Sequence, residues 1–69
     1  RAAEALPLLE RAVAMLPNNP TVRYHLALAY KATGERNKAL EHLDKALGHD
    51  RFPEIAEARE LKRNLESNQ

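Results

Sequence analysis

The sequence predicts an all-α fold of about four antiparallel helices, and three observations carry that prediction. Apolar residues rich in Ala and Leu make up 43% of the 69 residues and recur at helical spacing, with no strand-like alternation. Helix-breaking residues divide the chain at short intervals, as "LPNNP" at 16–20, Gly34, and Gly48 to Pro53. The third observation is an internal echo. Ala5, Leu6, Leu9 and Ala12 return as Ala39, Leu40, Leu43 and Ala46, and Glu10-Arg11 as Asp44-Lys45, always 34 residues apart. A fixed period of that length marks a stack of equivalent units, each too small to bury its apolar face alone.

The first helix is expected from about Ala3 to Met15, with Ala5, Leu9, Ala12, Val13 and Leu16 on one face. Pro7 conflicts with it, because interior proline costs about 3 kcal/mol; the helix is expected to start later or bend there. Asn19 caps the second helix and Pro20 takes its first position, where a missing N–H costs nothing. That helix runs to about Thr33 with Leu26, Ala27 and Tyr30 inward, and Gly34 ends it in the left-handed conformation. The third, from about Asn37 to Leu47, turns Ala39, Leu43, Ala46 and Leu47 inward, pairs Glu41 with Lys45 outward, and stops at Gly48. Pro53 opens the fourth, where Glu54 and Glu57 suit the positive end of the helix dipole.

Composition narrows the function. Sixty-nine residues form one domain with a small core. Without cysteine there is neither a disulfide framework nor a thiolate metal site. Eleven basic and ten acidic residues, mixed along the chain to a net charge of +1, are a poor match for nucleic acid. No apolar run reaches the roughly 20 residues that would span a bilayer.

A 34-residue helix–turn–helix period with small residues at fixed places resembles the tetratricopeptide (TPR) family. Leu26-Ala27, Tyr30, Gly34, Ala39, Leu43 and Ala46 match one full repeat over residues 20–51. Residues 1–19 match the second helix of a preceding repeat, ending in Pro17, and residues 52–69 read as a capping helix in which Leu61 and Leu65 echo Leu26 and Tyr30. Arg23, Arg36 and Arg51 depart from the pattern, standing where the family has Trp, an aromatic and Pro. Lys62 takes the place of Ala27, where a further helix would have to approach closely, so the outer side of the fourth helix is expected to face water.

The resemblance implies a non-catalytic scaffold that binds a protein or peptide in the groove formed by the first helix of each repeat. On that helix Tyr24, Leu28 and Lys31 are the expected partner contacts, although packing against other helices is the competing role for Tyr24 and Leu28. Tyr24 and Leu28 stand where the carboxylate-clamp subclass places Lys and Asn, which counts against that partner. The alternative function is a structural cap or self-association segment of a larger array, with Leu6, Leu9 and Val13 as a patch joining copies. The ending "FPEIAEARELKRNL" is similar to the last helix of bacterial envelope TPR lipoproteins of exopolysaccharide export and protein sorting. The compartments in view are therefore the cytoplasm and the bacterial periplasm or envelope.

No enzyme motif, cofactor site or metal set is expected. His42 and His49 are seven residues apart, too far for the usual i, i+4 ligand pair, and all three histidines are expected in solvent. Glu57 and Glu60 belong to a charged helix face rather than an acid–base pair.

Overall fold

The computed structural model describes residues 1–67. Four helices follow one another: α1 (Ala2–Met15), α2 (Pro20–Ala32), α3 (Arg36–Ala46) and α4 (Ile55–Ser67). No strand occurs among the described residues, and the chain is a flat slab of 30 × 27 × 16 Å.

Local chemistry sets the helix ends. The Asn19 side chain accepts from the Val22 amide at 3.1 Å, with Pro20 at the first position of α2. At the other end Gly34, at φ +83°, donates to the Lys31 carbonyl while Glu35 donates to the Tyr30 carbonyl at 2.8 Å. These two bonds make a Schellman closure, and the left-handed φ it needs is why glycine suits position 34. Gly48 differs. Its φ is not positive, and α3 closes through Leu47, whose amide donates to the Leu43 carbonyl at 2.8 Å.

Three expectations are corrected. α1 starts at Ala2, so Pro7 lies inside the helix, exposed, and the later start does not occur. Leu16 falls beyond the helix end at φ −129°, ψ 64°, which carries its side chain off the inward face and leaves it 51% exposed. Pro53 precedes α4 instead of opening it. The Phe52 carbonyl first accepts from Ile55 in a turn, and the first full helical bond runs from Ala58 to the Glu54 carbonyl at 2.8 Å.

α2 lies between α1 and α3, packing most extensively on α3, and α4 rests more lightly on α3. Accordingly α2 has the most buried residues: Tyr24, Leu26, Ala27, Ala29 and Tyr30. Small residues let the backbones approach, as Ala27, Ala39 and Ala46 are wholly inaccessible. Leu26 and Leu43 fill the adjoining space, each contributing about 1.5–3 kcal/mol by burial. Ala58, Leu61 and Leu65 bring α4 into the same core.

Candidate partner-binding site

Tyr24, Leu28 and Lys31 are spaced by four and three residues, which aligns them along one face of α2. They differ in accessibility. Tyr24 is 9% exposed and belongs to the core cluster, so it forms the floor of the face rather than a free contact. Leu28 is 37% exposed, and Lys31 is exposed and makes no ion pair among the described residues. Burial pushes the Tyr24 phenol up from its ordinary pKa, with a further push from the negative charges of Glu57 and Glu54. Glu54 is anchored, because the Thr21 hydroxyl donates to its Oε1 at 2.8 Å and ties the turn before α4 to the start of α2. The face thus carries carboxylates near Tyr24, an apolar surface at Leu28 and a cation at Lys31.

Burial divides the three residues expected to join copies of the chain. Val13 is 8% exposed within the core cluster, while Leu6 and Leu9 are half-buried against it. The exposed apolar side chains of α1 and its end are Leu8 at 65%, Met15 at 80% and Leu16. Met15 and Leu16 border an open cleft of about 550 Å³ formed with Pro17, Arg51, Phe52 and Pro53, where the turns after α1 and α3 meet.

A polar network missed by the sequence reading joins α1, α2 and α3. Arg23 donates through Nε to the Pro17 carbonyl at 2.9 Å and places Nη1 2.9 Å from His42 Nδ1. The His42 ring stacks on Tyr30, with centroids 5.7 Å apart, and the Tyr30 hydroxyl donates to Glu10 Oε2 at 2.5 Å. Lys38 completes it, its ammonium 5.6 Å from the centre of the Tyr30 ring. His42 is therefore half-buried and hydrogen-bonded, which overturns the expectation of a solvated ring. Its pKa is lowered, first by burial and then by the Arg23 charge. The bond to Glu10 raises the Tyr30 pKa to about 12, with burial adding to it.

Arg36 plays a part like that of Arg23, donating through Nε to the Leu65 carbonyl at 2.7 Å, one of the last carbonyls of α4 that the helix leaves without a partner. Both arginines stand where an aromatic was expected, and both donate to a backbone carbonyl on another segment. A guanidinium in place of a ring signals that donors enter these positions, without naming their acceptors. Lys62 reaches across to Asp44 on α3 at 2.8 Å, and that bond raises its pKa.

Among the described residues no three His, Asp or Glu side chains gather as a metal site, and no helix is long and apolar enough to cross a membrane. Compared with known proteins, the chain matches no curated protein and no solved structure significantly. The family model described as tetratricopeptide repeat does match, over residues 1–65. With small residues at the helix contacts, a Schellman closure between α2 and α3 and a match over nearly its full length, this chain belongs to the tetratricopeptide-repeat family.

Proposed function

We propose that this chain is a non-catalytic interaction module that holds a peptide or protein partner along α2, with Leu28 and Lys31 as the contacts and Tyr24 beneath them. TPR domains are in general protein–protein interaction modules, and this chain has the family's helix arrangement. The observation that carries the assignment is Leu28, a large apolar side chain left 37% exposed in the middle of the helix that otherwise buries most. Lys31, less than one turn on, supplies a cation for a partner carboxylate, while Glu54 and Glu57 favour a basic group toward the other end.

The test is site-specific photocrosslinking in the native host, with a photoreactive residue at position 28 and, as control, at position 15. A partner captured from position 28 but not 15, and lost on Lys31→Glu, is the expected result. Equal capture from both positions, or capture indifferent to Lys31→Glu, would count against the groove.

A second reading, a capping role for α4, is favoured by two residues. Lys62 and Asn64 stand where α2 has the buried Ala27 and Ala29, so the side on which a further helix would pack is polar. Lys62→Ala with Asn64→Ala should then raise self-association in sedimentation, whereas no change would leave the cap without support.

A further inference from the structure

We propose that Arg23 and His42 form a proton-sensitive latch: a neutral His42 holds Arg23 on the Pro17 carbonyl, and protonation of His42 releases the turn between α1 and α2. The argument begins with donors. A guanidinium has N–H groups only, so the 2.9 Å contact between Arg23 Nη1 and His42 Nδ1 requires Nδ1 to be the acceptor. His42 must then be neutral with its proton on Nε2. A proton added at Nδ1 would remove the lone pair and set two cations against each other at hydrogen-bond distance.

Geometry denies Arg23 an easy compensation. Its Nε is engaged with the Pro17 carbonyl at 2.9 Å, so the guanidinium is fixed at both ends, to the turn on one side and to α3 on the other. The His42 ring is also fixed, stacked on Tyr30 with the planes 24° apart. The groups bearing on the His42 charge come from three helices. Arg23 on α2 and Lys45 on α3 oppose protonation along with burial, and Glu41 on α3 and Glu10 on α1 favour it. Burial is the leading cause and the net direction is downward, in agreement with the acceptor role of Nδ1. Tyr30 holds Glu10 through its hydroxyl and lies beneath Lys38, so that carboxylate and that cation have other partners.

The sign follows. A histidine whose folded pKa lies below its unfolded value contributes stability that is fully present above the unfolded value near 6.5 and lost as pH falls through the folded one. The segment released is specific: Pro17 lines the cleft bordered by Met15 and Leu16, so the latch sets the shape of an exposed apolar lip.

The test is an NMR titration from pH 8 to 4.5, following the His42 ring and the Arg23 Nε–H signal in the same samples. The Arg23 signal should lose its protection at the His42 midpoint, the latched fraction falling about tenfold for each pH unit below it. In His42→Gln, which keeps an oxygen acceptor but cannot titrate, the Arg23 signal should persist throughout. An Arg23 signal indifferent to pH in the native chain, or lost equally in His42→Gln, would overturn the latch. Arg23→Gln gives an independent reading. The His42 midpoint should rise once the Arg23 charge is gone, and an unchanged midpoint would likewise overturn it.

Discussion

α1 and α3 carry the same apolar residues at four places, 34 positions apart, yet they differ in what they bury. Ala39, Leu43 and Ala46 are wholly inaccessible, whereas Ala5, Leu9 and Ala12 are only half-buried. The patterns match; the neighbours do not. α3 has α2 on one side and α4 on another, while α1 packs against α2 alone among the helices that it meets extensively. Burial in a repeat fold therefore belongs to the interface between units and not to the helix that bears the apolar residues. The first and last helices differ likewise: α1 leaves Leu8 and Met15 in solvent, whereas α4 exposes the polar Asn64 and turns Lys62 to Asp44 of α3.

The contrast can be broken most sharply with paired leucine deletions. Leu43→Ala should cost about 2–5 kcal/mol, the loss of a fully buried side chain plus the cavity left behind. Leu9→Ala should cost less, about 1–2 kcal/mol, since part of that surface is already exposed. A domain of this size has a total stability of roughly 3–10 kcal/mol, so urea unfolding should place the first variant near or beyond its limit and leave the second folded. Equal costs would mean that α1 is as well covered as α3.

Overpacking gives the next effect. Ala39→Leu should destabilise by about 1–3 kcal/mol, because no space exists at a wholly inaccessible alanine. Ala5→Leu should lie within about 0.5 kcal/mol of the native chain in the same urea experiment. A large cost at position 5 would show that α1 has a close neighbour there.

The smallest effect concerns the bond that fastens α1 to α2. Tyr30 donates to Glu10, and its folded pKa of about 12 stands above its ordinary value of 10.0. A raised pKa contributes stability that is fully present below pH 10 and is lost as pH rises through about 12. The native chain should lose on the order of 1 kcal/mol over that window relative to Tyr30→Phe, which lacks the titrating group. Parallel stability–pH curves for the two chains would remove the Glu10 bond from the account.

Features set by neighbours in sequence were legible from the outset. Asn19, Pro20 and Gly34 act within one turn of the chain, and the pattern of Ala27, Ala39, Leu43 and Ala46 needs only the 34-residue period to place its contacts. The polar network was not legible for a corresponding reason. Arg23 meets His42 across 19 residues and Arg36 meets the Leu65 carbonyl across 29, and nothing in the spacing of those residues distinguishes a bond between segments from a solvated charge. The candidate face was legible in part. Helical spacing put Tyr24, Leu28 and Lys31 on one side of α2, but the approach of Glu54 and Glu57, which accompanies the burial of Tyr24, depends on how α4 folds back. Of Leu6, Leu9 and Val13, only Val13 is buried, because it lies on the side of α1 that packs into the core, and spacing alone did not separate it from the two half-buried leucines.

Native-state hydrogen exchange tests the central claim, that one helix of the repeated pair is enclosed and the other open, most directly. With denaturant added below the unfolding transition, the α3 amides, including that of Leu47 bonded to the Leu43 carbonyl, should exchange only through global unfolding. The α1 amides, including that of Leu16 bonded to the Ala12 carbonyl, should exchange through a separate opening at least about 1 kcal/mol lower in free energy. A single opening free energy shared by α1 and α3 would contradict the account.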